Sequence, residues 1–82
     1  MSYYVYMLKS LGIKPITYVG YTKDLKQRVL LHNTGKGAKF TRGRNWRLIY
    51  KEMFKSKSKA ISREYYIKKN RTLRNKIKNT YR

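Results

Sequence analysis

YYVYMLKSLGIKPITYVGY, at residues 3–21, decides the fold, because it holds two strand-like segments joined by a short loop. Residues 3–8 and 16–21 are rich in aromatic and β-branched side chains, which is typical of β-strands. Gly12 and Pro15 mark the connection between them. A connection this short predicts an antiparallel hairpin.

A hairpin that closes symmetrically about Gly12 places Tyr6 opposite Tyr18. Side chains alternate between the two faces of a strand, so an even slip in the pairing still leaves both tyrosines on one face. Gly20 falls on that face as well, and we expect it to leave a gap beside the two rings.

The rest of the chain alternates between helical and strand patterns. This pattern predicts a helix from Thr22 or Asp24 to Asn33, a loop over 34–45 and a strand over 46–54. It then predicts a helix over 57–69, capped by Ser56 or Ser58, and a weaker helix over 72–79. All three strands are apolar on both faces, so helices must cover both sides. The predicted architecture is α+β: a small three-stranded, mainly antiparallel sheet flanked by helices, in the order β-β-α-β-α-α, as one domain over 1–82.

The charge of the chain points to a polyanionic partner. Twenty-two Lys and Arg residues face three acidic residues, which gives a net charge of +19. Such self-repulsion destabilises a compact state, and nucleic acid is the natural partner that relieves it. An anionic membrane is the alternative, but that use favours a long basic amphipathic helix, whereas these basic residues are spread over the whole chain.

Several classes of protein do not fit this sequence. The absence of cysteine excludes disulfides and thiolate metal sites. The first ten residues lack the basic segment and long apolar run of a signal peptide. No stretch approaches the roughly 18 apolar residues of a membrane span. We therefore expect a cytoplasmic protein without a membrane partner, and association with the nucleoid is compatible with this.

Two tripeptides on the predicted strands resemble a known family. Tyr4-Val5-Tyr6 and Tyr18-Val19-Gly20 are similar to the two half-motifs that name the GIY-YIG nuclease superfamily. The resemblance continues through three later residues at family-like spacing, namely Arg28, His32 and Glu64. It covers residues 3 to about 70 and is closest in character to the small stand-alone members and to the catalytic domains of structure-specific repair nucleases. Tyr4 stands where the first half-motif has Gly.

This resemblance implies roles for individual residues. Glu64 would be the single protein ligand of a catalytic Mg²⁺ or Mn²⁺, and Arg28 would hold the scissile phosphate. His32 would donate to, or orient, the same phosphate. Tyr18 or Tyr6 would activate the water, and we favour Tyr18. Many members also carry an Asn beyond the Glu, and both Asn70 and Asn75 are candidates.

Each of these residues also has a purely structural interpretation. The tyrosines can pack on the sheet, Arg28 can be one solvated cation among many, and His32 can favour the helix C-terminus. Glu64 can pair with Lys68 four residues later. Among the acidic residues, Asp24 reads as a helix cap and Glu52 as a strand residue paired with a neighbouring Lys. The five residues together at family spacing favour the catalytic interpretation.

The basic loop over 34–45 predicts a substrate contact, although a merely flexible surface loop is the alternative. Glycines let backbone amides approach phosphate, and cations neutralise it. The predicted nucleic-acid-binding residues are Gly20, Lys36, Lys39, Thr41, Arg42 and Arg44. Phe40 and Trp46 are further candidates for stacking on unpaired bases, but core packing suits Trp46 at least as well.

The function implied is that of a divalent-metal-dependent endonuclease that hydrolyses nucleic acid, with DNA favoured over RNA as the substrate, in repair, recombination or processing. The alternative is a catalytically inactive nucleic-acid-binding module with the same fold. With one domain, we expect substrate recognition to come from the core itself or from a protein partner.

Overall fold

The computed structural model describes residues 2–80. Its elements are β1 (Tyr3–Ser10), β2 (Thr17–Thr22), α1 (Leu25–Asn33), β3 (Trp46–Phe54), α2 (Lys57–Lys69) and α3 (Arg71–Thr80). The three strands form one sheet in the order β2-β1-β3, and both pairings are antiparallel. The predicted α+β class and element order are therefore confirmed.

The hairpin register differs by two residues from the symmetric closure about Gly12. Tyr6 pairs with Gly20, and Tyr18 pairs with Leu8. The loop closes where Ser10 binds Ile16, through its backbone N–H to the Ile16 carbonyl and its hydroxyl to the Ile16 N–H, both at 2.9 Å. Because the slip is even, the two tyrosines still share a face, with ring centroids 6.5 Å apart.

Each face of the sheet has its own helical cover, as the apolar pattern of the strands predicts. Helices α2 and α3 pack on one face around a buried core of Val5, Met7, Val19, Ile49, Ala60, Ile67 and Ile77. Helix α1 and the loop that follows it cover the other face, where Tyr6, Leu8 and Trp46 are buried. The tyrosine pair lies on this second face.

Short polar side chains fix where the helices begin. The Asp24 carboxylate accepts a hydrogen bond from the Gln27 N–H at 3.1 Å and caps α1. Ser56 caps α2 in the same way, at 3.3 Å from the Lys59 N–H. Asn70 ends α2 and accepts from the Leu73 N–H at 2.9 Å, so it also caps the start of α3. Asp24 and Asn70 thus have structural roles.

The prediction that Glu52 pairs with a neighbouring Lys was wrong. Glu52 accepts two hydrogen bonds from Arg63 Nε and Nη2 on α2, each at 3.0 Å, and a further one from the Tyr50 hydroxyl. Burial raises the pKa of Glu52, but the hydrogen bonds from Arg63 and Tyr50 outweigh it, so the net pKa is lowered. A planar guanidinium reaches both carboxylate oxygens, which the ammonium of a neighbouring Lys does not. This ion pair ties β3 to α2.

Candidate active site

A buried row of hydrogen-bonded side chains crosses from the sheet to the loop. The Tyr6 hydroxyl lies 2.7 Å from His32 Nε2, and His32 Nδ1 lies 2.8 Å from the Thr41 hydroxyl. All three side chains are at most 2% exposed. The row joins β1, α1 and the loop over 34–45 in one network.

The direction of the protons in this row follows from hydrogen-bond balance. The Thr41 hydroxyl has one hydrogen, which it donates to the Ala38 carbonyl at 3.0 Å, so it accepts from His32 Nδ1. Burial and the charge of Arg28 lower the pKa of His32, so the ring is neutral near pH 7. Its Nε2 is then an acceptor, and the Tyr6 hydroxyl donates to it.

Tyr6 is held as a phenol. Burial, reinforced by Tyr18 and Glu64, raises its pKa well above the usual value, against the smaller opposing effect of Arg28. The proton of Tyr6 is therefore retained through neutral pH and directed at His32. Both ring nitrogens of His32 are engaged inside the protein, so His32 acts on Tyr6 rather than facing a substrate phosphate.

Two glycines make room for these rings by close approach. A Cβ built on Gly20 would lie 2.5 Å from the Tyr6 hydroxyl oxygen, so the gap expected beside Gly20 is filled by the Tyr6 ring. A Cβ on Gly37 would lie 2.5 Å from His32 Nδ1 and 2.8 Å from the His32 backbone nitrogen. Gly20 is buried beneath Tyr6, which does not suit its expected role as a nucleic acid contact.

Thr41 also departs from its expected role. It is fully buried, so its side chain orients His32 instead of touching nucleic acid. Its carbonyl accepts from the Trp46 indole N–H at 2.9 Å, which places Trp46 in the core. Asn33 closes the loop at its base, because its side-chain amide accepts from the Trp46 N–H at 2.6 Å and donates to the Trp46 carbonyl at 3.1 Å.

Tyr18 lies on the outer side of this row and is only half-buried. Its ring centroid is 4.9 Å from that of His32. Phe40 stacks on it at 6.0 Å with an interplanar angle of 25°. Lys68 Nζ lies 5.8 Å from the Tyr18 ring centroid. Of the two tyrosines, Tyr18 is the one within reach of solvent.

Arg28 and Glu64 complete the set of five. The charges of both act on the Tyr6 hydroxyl, in opposite directions. Glu64 lies 3.7 Å from Lys68 Nζ, which is the ion pair expected from their spacing. The same Lys68 stands over Tyr18, so Glu64 is linked to the tyrosine pair by contact as well as by charge. The fold thus brings together residues that the sequence separates by 58 positions, from Tyr6 to Glu64.

The acidic residues decide where a divalent cation would fit. No cluster of three or more His, Cys, Asp or Glu residues occurs within residues 2–80. Asp24 caps a helix and Glu52 is held by Arg63, whereas Glu64 is paired only with a half-exposed lysine. Mg²⁺ is commonly bound through one or two carboxylates plus phosphate and water, so the single Glu64 carboxylate, with its exposed lysine partner, suits it.

The cations of the loop are on the surface, where a polyanion can reach them. Lys36, Lys39, Arg42 and Arg44 are all exposed, as is Asn75 on α3. Lys68, Gly37 and Asn33 also shape the site, and the sequence analysis did not select them for it. The i,i+4 spacing to Glu64 was the available signal for Lys68, whereas nothing local in the sequence indicates Gly37.

Within the part of the chain that the structure describes, no helix is long and apolar enough to cross a membrane.

Comparison with known proteins agrees with this geometry. The family described as the GIY-YIG catalytic domain matches residues 2–80, and the chain therefore belongs to that family. The expected resemblance is confirmed.

Within it, the chain is similar to proteins named UPF0213. It is 51% identical over 67 residues to UPF0213 protein CPE1444 of Clostridium perfringens, which covers 80% of this chain and 70% of that protein. It is 45% identical over 75 residues to UPF0213 protein SpyM3_1077 of Streptococcus pyogenes, covering 90% and 79%. The solution NMR structure of UPF0213 protein BH0048 from Bacillus halodurans is 38% identical, with a TM-score of 0.56, and covers 98% of this chain and 85% of that one.

Proposed function

We propose that this protein is a divalent-metal-dependent endonuclease that hydrolyses DNA phosphodiester bonds, with a role in repair, recombination or processing. The observation that carries the proposal is the meeting of Tyr6, Tyr18, His32, Arg28 and Glu64 around one hydrogen-bonded row. A cation, a carboxylate and hydroxyl groups together meet the needs of phosphoryl chemistry, which are charge stabilisation and proton transfer.

Each side chain has a step that its surroundings suit. Arg28 binds the scissile phosphate, because its planar fork matches two phosphate oxygens. Tyr18, acting as the phenolate, takes the proton of the attacking water, because it is the more accessible tyrosine and lies beside Lys68. Tyr6 keeps its proton, donates it in a hydrogen bond to His32, and supports the Tyr18 ring from the buried side. His32 positions Tyr6 and is itself oriented by Thr41.

Glu64 would hold a bound Mg²⁺ or Mn²⁺, which supplies charge stabilisation for the pentavalent transition state and the leaving oxygen. The Lys68 side chain that now pairs with Glu64 is long and half-exposed, so it can turn away to a phosphate at little cost.

The surface around the site suits DNA as the partner. The loop cations Lys36, Lys39, Arg42 and Arg44 neutralise backbone phosphates without carrying sequence information. Recognition of a particular site or structure then comes from the core itself or from a protein partner.

Cleavage assays with Glu64→Gln test the proposal. The wild type should cut labelled DNA with Mg²⁺ or Mn²⁺ and stop with EDTA. Glu64→Gln should lower the cleavage rate by at least about 100-fold, because it removes the carboxylate that would hold the metal. Its DNA affinity should be equal or tighter, since one charge that repels phosphate has been removed.

Asp24→Asn is the matched control, because it removes the same charge while Asn remains a good helix cap. It should cut like the wild type. Activity that survives in Glu64→Gln, or that ignores EDTA, contradicts the mechanism. Binding without cleavage under either metal would instead favour a catalytically inactive nucleic-acid-binding module.

A further inference from the structure

Phe40 is an exposed aromatic ring that packs against two other aromatic rings. Its side chain is 58% exposed, although the next residue, Thr41, is fully buried. One side of the ring stacks on Tyr18, and the Trp46 ring lies 6.5 Å away at 38°. An exposed ring backed by a second aromatic ring offers a flat apolar surface on which a planar group can stack.

A shallow pocket opens beside this ring, along the outer edge of β2. It is lined by Thr17, Tyr18, Val19, Phe40, Lys68 and Arg74 and has a volume of about 240 Å³. Pockets for drug-sized ligands measure roughly 300–1,000 Å³. The space beside Phe40 is smaller than these pockets but large enough for one planar ring.

Two cations stand at the same pocket. Lys68 lies over the Tyr18 ring and pairs with Glu64. Arg74 donates to the backbone carbonyls of Ile67 and Lys68, which fixes its guanidinium at the end of α2. An aromatic platform beside two cations matches a nucleotide, whose base stacks and whose phosphate is anionic.

We propose that this pocket binds one unpaired base of the substrate, next to the phosphate that is cut. The inference rests on the proposed endonuclease function and deepens it, because it assigns the substrate class: single-stranded DNA, or a single-stranded arm of a branched molecule. A paired base is covered by its neighbours in the stack and cannot enter a pocket at the edge of a sheet without being extruded, which costs unstacking energy.

Binding of a single-stranded oligonucleotide and of its duplex, in EDTA, tests the pocket without any cleavage. Stacking of one base on an aromatic side chain is worth about a 5- to 150-fold change in affinity. Phe40→Ala should lose affinity for the single strand within that range and leave duplex affinity nearly unchanged. Phe40→Tyr should restore it, whereas Phe40→Leu, which keeps apolar bulk without a ring, should not.

The same oligonucleotide carrying 2-aminopurine gives a direct signal, because the fluorescence of this base is quenched when it stacks. Quenching should occur with the wild type and Phe40→Tyr and be lost with Phe40→Leu. Met53→Ala, equally exposed at 57% but on β3, should behave like the wild type. Thermal unfolding of each variant checks that the fold is kept.

An equal loss on single strand and duplex, or full binding and quenching with Phe40→Leu, overturns the proposal. The outcome is separable from that of the endonuclease test. If the wild type never cuts but the ring-dependent preference is present, the endonuclease assignment fails and the base pocket stands. If the wild type cuts and Phe40 has no effect, only the pocket assignment fails.

Discussion

Two tyrosines on one face of the sheet have different surroundings in this site, although the sequence presents them as a pair. Tyr6 is buried and donates to His32, while Tyr18 is half-buried and lies beside Lys68 and Phe40. Removing each hydroxyl should therefore have a different effect on catalysis.

Tyr18→Phe keeps the ring and its packing, so we expect cleavage to fall by about 100-fold or more, the general-acid–base contribution, with little change in stability. Tyr6→Phe should lower the free energy of unfolding by about 1–3 kcal/mol, because His32 Nε2 is left buried without its donor. Single-turnover cleavage and urea unfolding measure the two quantities. If Tyr6→Phe is the more damaging to cleavage, Tyr6 is the base.

The sequence predicted which residues gather at the site but not how they contact one another. The shared face of Tyr6 and Tyr18 followed from strand alternation, which holds for any even register. The register itself depended on Ser10 binding Ile16, a contact that no periodicity reveals. The burial of Thr41 and the approach of Gly37 to His32 depend on the path of an irregular loop, which has no repeating pattern to read.

Among the elements, β1, α1 and the loop are joined by the His32 ring. His32 is the only histidine of the chain, and its pKa is lowered by burial and by Arg28. As the pH falls below about 6.5, the unfolded state takes up a proton before the folded state does. The stability that the neutral His32 ring contributes is therefore fully present above that pH and is lost as the pH falls further.

Urea unfolding at pH 7 and pH 5 should show this loss in the wild type. His32→Gln is the control, because it removes the titrating group while retaining polar atoms. Its stability should be lower at pH 7 and should change less between the two pH values. A wild type whose unfolding free energy is the same at both pH values would contradict the neutral, buried assignment of the ring.

Several features of the fold were predictable because the local sequence pattern indicates each of them. They are the order of the elements, the helical layer on each face of the sheet, and the bounds of β3 and α2. Apolar residues on both faces of the strands required two covering layers, and Ser56 marked the start of α2. The ion pair between Glu52 and Arg63 was not predictable, because it joins residues eleven positions apart on different elements.

At the scale of the whole molecule, the chain has a net charge of +19, and the fold that carries nearly all of it measures 36 × 28 × 19 Å. The Debye length falls from about 30 Å at 0.01 M salt to about 10 Å at 0.1 M. At the lower salt concentration nearly all of these charges repel one another, whereas at the higher one only neighbours do.

Salt should therefore act in opposite directions on folding and on binding. Raising NaCl from about 0.01 M to about 0.1 M should increase the melting temperature of the free protein, because it screens self-repulsion. The same change should weaken DNA binding, with a slope of log affinity against log salt of about −0.7 per phosphate on single strands. Thermal unfolding measures the melting temperature, and fluorescence anisotropy with labelled DNA measures the affinity. A flat salt response of the affinity would contradict the electrostatic account.

Trp46 is the only tryptophan of the chain, and it is buried directly beneath the loop that carries Phe40. Its indole N–H is fixed on the Thr41 carbonyl. Trp46 is thus an intrinsic fluorescent probe located at the site. Any substrate that moves Phe40 or shifts Thr41 should change the emission lifetime of this one indole, so occupancy of the site can be followed in the unlabelled protein.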